Sequence, residues 1–102
     1  MRRGEVWWHE PPNSKRRPVV ILTRDESIDV LYDLVVCPVT SIIRGLDTEV
    51  ELGPDDGMPR TCVLNLTNAA SAEKAMLIQA ITALGPERMA EICRALRIAT
   101  SC

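Results

Sequence analysis

The sequence has few aromatic residues, a single histidine and no long apolar run, and each shortage argues against a class of protein. Two Trp, one Tyr and no Phe among 102 residues are too few for the aromatic groove of a peptide-binding adaptor. The longest apolar runs are about five residues, far below the roughly 20 that a transmembrane helix requires. No apolar stretch of signal-peptide length follows the N-terminal arginines, so we expect a cytoplasmic protein with no membrane partner.

Metal ligands and nucleophile motifs are also missing from the sequence. The four cysteines show no metal-ligand spacing, and the single histidine, His9, cannot complete a zinc site with them. The chain has no Gly-rich phosphate loop, no acidic metal cluster and no paired carboxylates. We therefore expect free thiols, no metal and no cofactor. The same absences argue against a metal-dependent nuclease.

The composition of the chain predicts one ordinary globular domain over residues 1–102. The chain is 46% apolar and 25% charged, which is typical of a folded domain of this length. Short β-prone segments alternate with turn residues, and they lie too close together for parallel crossovers. The sequence therefore predicts a mainly β (α+β) fold, a small barrel or curled antiparallel sheet with one C-terminal helix.

The predicted elements follow from this alternation. Ser71–Lys74 reads as a short helical turn, and Gly85-Pro86 opens a helix because proline is tolerated at the first helical position. The stripe of this helix that packs on the sheet holds Met89, Ile92, Cys93 and Leu96. The predicted strands are Glu5–His9, Pro18–Arg24, Val30–Val39, Thr48–Leu52, Thr61–Leu66 and Leu77–Leu84.

Charge is distributed unevenly along the chain. The net charge is −2 overall, but residues 1–24 carry six cations and two anions, residues 25–56 one cation and nine anions, and residues 57–102 five cations and three anions. The three parts are therefore +4, −8 and +2. This split predicts one basic and one acidic surface, so the acidic total does not exclude a local phosphate site.

The segment "KRRPVVILT" places Lys15, Arg16 and Arg17 at the entrance of a predicted core strand. Pro18 restricts the residue before it to extended conformations, so Arg17 is held stiffly. One interpretation is a solvated strand end. The other is a cation aimed at a ligand.

The segment "VCPVTS" is the second irregular place. Pro38 removes a ladder donor from an apolar strand, which requires an edge or a bulge at this point. Thr40 and Ser41 then present their hydroxyls outward, either as plain strand-end chemistry or as ligand donors. An arginine fork beside two hydroxyls has the chemistry of a phosphate pocket.

Together these segments resemble the MazF-like (PemK-like) toxins. The resemblance rests on "RRGEVWW", "RRPVVILT", "VCPVTS…RGLDTEVEL", "TCVLNLTN" and "PERMAEICRAL", which occur in that order over essentially the whole chain. It implies a homodimer of SH3-like barrels and a metal-independent endoribonuclease that cleaves single-stranded RNA at short specific sequences. It also implies a cognate antitoxin, whose acidic-hydrophobic disordered tail lies across the toxin.

The resemblance also implies roles for individual residues. The family's catalytic arginine and threonine fall on Arg17 and Thr40, and Asn68 falls where an amide is frequent. Thr67 replaces the acidic residue that precedes this amide in the family, and Ser41 replaces a second threonine. The residues expected to bind RNA are Lys15, Arg16, Ser41, Asn68, Trp8 and His9.

The implied reaction is attack of a 2′-hydroxyl on its own phosphate, which gives a 2′,3′-cyclic phosphate and a 5′-hydroxyl. Arg17 would stabilise the phosphorane and Thr40 would orient the phosphate. Two alternatives stay open at this point, a non-catalytic CcdB-like toxin that binds DNA gyrase and an SH3-like binding module. Trp7 and Trp8 point to opposite faces of one strand, and the sequence does not decide which is core.

Overall fold

Seven strands form one curled antiparallel sheet in the computed structural model, which describes residues 1–102. The strands run in the order β4-β5-β3-β2-β1-β7, and β6 also pairs with β3. Their bounds are β1 Glu5–His9, β2 Arg17–Ile21, β3 Asp33–Thr40, β4 Glu49–Leu52, β5 Cys62–Asn65, β6 Ala70–Glu73 and β7 Leu77–Ala83. The helices are the single turn α1, Asp25–Ile28, and the long C-terminal α2, Pro86–Thr100. Short 3₁₀ turns lie at Pro54–Asp56, Leu66–Asn68 and Lys74–Met76.

The mainly β fold with a C-terminal helix is confirmed, and the path of the sheet stays open between β4 and β7. The helix begins at Pro86, as predicted, and three of the four predicted stripe residues pack on the core, while Cys93 is half-buried and its Sγ accepts from Nη2 of Arg3 at 3.1 Å. Ile92 is fully buried, while Met89 and Leu96 pack against the same core. No helix of the protein is both long and apolar enough to span a bilayer.

Strand β3 organises the sheet because it has three partners. Residues 33–36 pair with β6 and residues 39–40 with β5, while residues 36–38 pair with β2 on the other side. Pro38 lies opposite Val19 of β2, at the point where the other neighbour changes from β6 to β5. The missing N–H of Pro38 therefore falls in a gap in the ladder, and no hydrogen bond between strands is lost there.

Two apolar clusters form the core on opposite faces of β1–β3. Successive strand residues point to opposite faces, so Val20 joins the larger cluster under α2 while Val19 joins the smaller one. The larger cluster includes Val6, Leu64 and Ile92. The smaller one takes in Ile28 of α1 and the ring of Trp7. The strands that carry the predicted site are thus fixed from both sides.

Two predicted strands are each three residues too long at one end. The strand predicted from Val30 begins only at Asp33, and the side chains of Val30 and Tyr32 are 77% and 90% exposed. The strand predicted over Pro18–Arg24 spans Arg17–Ile21.

The helical turn predicted at Ser71–Lys74 is wrong, because Ala70–Glu73 is strand β6. Residues 70–73 pair antiparallel with residues 33–36 of β3. The ladder along the open edge of β3 outweighs the weak β-propensity of this Ala- and Glu-containing segment. The turn itself follows one step later, at Lys74–Met76.

Candidate functional site

A cleft of about 230 Å³ opens where β2 begins and β3 ends. Arg17 is the first residue of β2 and Thr40 the last of β3. Val19 pairs with Pro38, so continuing this antiparallel register by two residues brings Arg17 and Thr40 opposite each other. The residues that line this first cleft are Arg17, Pro38, Thr40, Ile42, Arg44, Asn65 and Asn68.

The guanidinium of Arg17 has no hydrogen bond or ion pair with the rest of the protein, and its side chain is exposed. Its backbone is held, because Arg17 pairs with His9 of β1 and is followed by Pro18. Partial burial and the positive charge of Arg17 lower the pKa of His9 below its usual value, so the imidazole is neutral at pH 7. The backbone of Arg17 is thus fixed by strand pairing, while its guanidinium has no partner within the protein.

Thr40 presents a hydroxyl with its proton free. Its Oγ1 accepts a hydrogen bond from the backbone N–H of Ile42, at 3.2 Å. A hydroxyl has one proton to donate, and that proton is not used within the protein. Thr40 therefore adds a neutral donor beside the charged fork of Arg17.

Two asparagines line the opposite wall of the first cleft. Asn68 ends the 3₁₀ turn after β5 and is exposed. Asn65, the last residue of β5, is half-buried, and its Oδ1 accepts from the Thr48 hydroxyl at 2.9 Å and from the Thr67 backbone N–H at 3.1 Å. Sequence reasoning singled out Asn68 and missed Asn65, although "NLTN" shows both.

Arg44 reaches the first cleft from the loop between β3 and β4, and it too was missed. One carboxylate, that of Glu49, accepts from the backbone N–H groups of Arg44, Gly45 and Leu46, at 2.9–3.3 Å. Gly45 has φ +72°, a conformation that favours glycine. The only sequence signal was an arginine beside a glycine, followed by a glutamate at the start of a strand.

A second cleft, of about 240 Å³, meets the first at Thr40 and is more apolar. Trp8 and Ser41 lie in it, and the guanidinium of Arg16 stacks over the Trp8 ring at 4.5 Å from its centroid. Trp7 points the other way into the smaller core cluster, and its Nε1 donates to Glu5 at 2.9 Å. The residues that line this second cleft are Trp8, Pro18, Val39, Thr40, Ser41, Met58, Pro59, Arg60 and Cys62.

The predicted site residues lie near the place where β2 begins and β3 ends, but not all of them line a cleft. Arg17, Thr40 and Asn68 line the first cleft, and Trp8 and Ser41 line the second. The other three do not line either cleft. Arg16 covers Trp8, His9 pairs with Arg17, and Lys15 is an exposed loop residue.

The chemistry of the first cleft suits an anion. Its polar side chains are guanidinium, amide and hydroxyl groups, which supply N–H and O–H donors. No three histidine, cysteine or acidic residues are arranged so that they could hold a metal ion together. The four thiols are free, and burial raises the pKa of Cys37 to about 12, so this thiol stays protonated.

The chain is similar to known proteins over nearly its full length. A sequence model of the family described as "PemK-like, MazF-like toxin of type II toxin-antitoxin system" matches residues 2–100. The chain is 45% identical over 101 residues to the probable endoribonuclease MazF5 of Mycobacterium tuberculosis, covering 98% of this chain and 93% of that one. It is 39% identical over 103 residues to the probable endoribonuclease MazF2 of the same organism, covering 100% of both.

Solved structures share the fold. An endoribonuclease in complex with its cognate antitoxin, from a mycobacterial species, superposes with a TM-score of 0.90 at 25% identity, covering 99% of this chain and 95% of that one. The M. tuberculosis toxin MazF-mt6 gives a TM-score of 0.87 at 27% identity, covering 95% and 96%.

Proposed function

The chain belongs to the PemK-like, MazF-like toxins of type II toxin–antitoxin systems, and from this premise we propose that it is an endoribonuclease that cleaves single-stranded RNA in the cleft between Arg17 and Thr40. The observation that carries the proposal is the guanidinium of Arg17. It is held at the start of β2, has no partner in the protein and lies in one cleft with a free hydroxyl proton. Such a pair suits an oxyanion.

The proposed reaction is an in-line transfer within the RNA backbone. The 2′-oxygen attacks the adjacent phosphorus and loses its proton, the bond from phosphorus to O5′ breaks, and O5′ takes up a proton. The products are a 2′,3′-cyclic phosphate and a 5′-hydroxyl end. DNA has no 2′-hydroxyl and is not a substrate for this step.

Arg17 and Thr40 have complementary roles in this step. Arg17 donates hydrogen bonds to the phosphorane oxygens, where negative charge increases in the transition state. The Thr40 hydroxyl donates a hydrogen bond that orients the phosphate. A guanidinium is a poor general base, so Arg17 is given the electrostatic role. The neutral His9 pairs with Arg17 in the β1–β2 ladder but does not line the cleft, and no base is assigned.

The second cleft supplies the surface for a neighbouring base. Arg16 covers the Trp8 ring, and we expect it to move aside so that a base can stack on the ring, which is worth roughly 1–3 kcal/mol. Ser41 and Arg60 lie beside it as hydrogen-bond donors. We expect this cleft to contribute to the choice of RNA sequence.

The partners follow from family membership and from the surface. We propose that the cognate antitoxin binds this basic edge with an acidic-hydrophobic disordered tail, in competition with RNA, and that both proteins act in the cytoplasm, where the RNA is. A homodimer is supported by the exposed apolar side chains of Val30, Leu31, Tyr32 and Ile43, which no other part of the chain covers.

Incubation with a long single-stranded RNA in EDTA tests the proposal. We expect cleavage that is unaffected by EDTA, because Arg, Thr and Asn side chains supply the contacts and are not a divalent-metal ligand set. The new ends should carry a 2′,3′-cyclic phosphate and a 5′-hydroxyl, and DNA of the same sequence should stay intact. Cleavage that stops in EDTA and returns with Mg²⁺ would contradict the mechanism, and intact RNA with gyrase binding would favour a CcdB-like toxin.

A further inference from the structure

The side-chain amide of Asn65 is oriented in one direction only. Its Oδ1 accepts from the Thr48 hydroxyl and from the backbone N–H of Thr67. A backbone N–H is a donor and cannot accept, so the amide oxygen must face Thr67 and the amide nitrogen must face away. The two ends of this amide are not interchangeable.

Because Oδ1 is turned toward Thr48 and Thr67, the amide nitrogen is the polar end of Asn65 that is left for the first cleft. Asn65 lines that cleft, and Nδ2 has no hydrogen-bond partner in the protein. No buried side-chain nitrogen or oxygen lacks a partner, so this unpartnered nitrogen is accessible to solvent. Two N–H donors are thus fixed at the wall of the cleft.

Other side chains that line the first cleft also offer hydrogen-bond donors. The guanidinium groups of Arg17 and Arg44 have only donors, and Oγ1 of Thr40 already accepts from a backbone N–H. These groups come from β2, β3 and the β3–β4 loop, while Asn65 comes from β5. An anionic oxygen with several acceptor sites fits such a ring of donors, since charge-assisted hydrogen bonds are the strong ones.

We propose that Asn65 is a further catalytic residue, which donates from Nδ2 to a non-bridging oxygen of the scissile phosphate across the cleft from Arg17. The inference rests on the proposed function, because it assigns a contact within the same reaction. Two bonds inside the protein hold the amide before RNA arrives, so little reorganisation is needed as negative charge increases on the phosphorane.

The substitution Asn65→Asp separates the donor from the internal contacts. A carboxylate still accepts from Thr48 and Thr67, so the melting temperature should change little, while the end that faces the cleft loses its two N–H groups. We expect cleavage to fall by about 10²-fold or more, the typical loss for one oxyanion donor. The matched control is Ile42→Asp, which places a carboxylate in the same cleft and leaves Asn65 intact. The loss in Asn65→Asp should exceed the control by about tenfold or more.

Three outcomes would overturn the inference while the proposed function stands. These are near wild-type cleavage by Asn65→Asp, equal losses in the two variants, and a cleavage map in which Asn65→Asp cuts a different sequence at full rate. The last outcome would mean that the amide contacts a base and not the phosphate.

A second measurement uses the wild-type protein and needs no cleavage. A short single-stranded RNA with 2′-O-methyl groups binds without reacting, and the side-chain NH₂ signal of Asn65, assigned by its loss in Asn65→Asp, is followed by NMR. We expect this signal to shift together with the backbone signals of Thr40. An unmoved NH₂ signal beside a shifting Thr40 overturns the inference alone. A moving NH₂ signal without any cleavage of unmodified RNA overturns the proposed function, and Asn65 is then an RNA contact without a catalytic role. Absence of any shift overturns both.

Discussion

Two arginines of this protein, Arg17 and Arg88, have the same chemistry and opposite surroundings. Arg88 donates from Nε to Asp56 at 2.9 Å and from Nη1 to Glu91 at 3.2 Å. Arg17 makes no such contact. One guanidinium is neutralised within the fold, and the other keeps its charge and all its donors unpaired within the protein, as the proposed contact with a phosphate requires.

This difference separates stability from function along the chain. Asp56 also accepts from the backbone N–H of Gly53, so the contact between Arg88 and Asp56 connects the turn after β4 to the start of α2. Arg17 lies at a strand end whose position is set by β1 and Pro18, and its guanidinium makes no hydrogen bond or ion pair within the fold. Substitution of Arg88 should therefore lower stability and spare cleavage, and substitution of Arg17 should lower cleavage and spare stability.

The largest effect should come from Arg17→Ala. We expect cleavage of single-stranded RNA to fall by about 10²–10³-fold, because one donor to the phosphorane is removed, while the melting temperature is unchanged. The matched control, Arg88→Ala, should keep cleavage and lower the melting temperature. Cleavage rates and thermal unfolding of both variants check this, and a cleaving Arg17→Ala would show that Arg17 is only a solvated cation.

The next effect should come from Thr40→Val, which keeps the shape and removes the hydroxyl. Cleavage should fall by an amount comparable to or smaller than the loss in Arg17→Ala, about 10-fold to 10²-fold, since a neutral donor contributes less than a charged one. Thr40→Ser keeps the hydroxyl and should retain most of the rate. Full activity of Thr40→Val in single-turnover assays would remove Thr40 from the site.

A smaller effect should follow from Lys15→Glu/Arg16→Glu, which reverses charge and leaves Arg17 in place. Affinity for single-stranded RNA and for the antitoxin should both fall. For RNA, the slope of log K against log salt should flatten by about 0.7 for each phosphate that the variant no longer neutralises. Titrations at two salt concentrations measure this. Unchanged affinities and slopes would mean that these cations are merely the solvated end of a loop.

The smallest effect should come from Asp56→Asn, and it concerns stability alone. The hydrogen bond from Arg88 lowers the pKa of Asp56, so this carboxylate stabilises the fold above its unfolded pKa of about 4. That contribution is lost as the pH falls through the lowered folded value. Because the Arg88 side chain is 34% exposed, we expect a loss of about 1 kcal/mol or less at pH 7. Unfolding measured from pH 7 down to pH 2 should show a flatter acid limb for Asp56→Asn. An acid limb as steep as that of the wild type would contradict the assignment.

The sequence predicted most strands correctly because their apolar residues and turn signals are local. It also singled out Arg17 and Thr40, since the prolines beside them are visible as breaks in apolar strands. Strand β6 was missed because its residues have weak β-propensity and depend on pairing with β3. Arg44 and Asn65 were missed because only the fold brings the β3–β4 loop and the end of β5 to the same cleft.

The pairing of β1 with β7 has a consequence for the time at which the toxin becomes competent. These two strands are far apart in the chain, and contacts between distant segments are among the slowest to form. A nascent chain that ends before Leu77 already contains Arg17 and Thr40, but β1, which supports Arg17 through the pair with His9, has one open edge. Emergence of β7 from the ribosome, rather than emergence of the site residues, therefore sets the moment at which the cleft gains its full support.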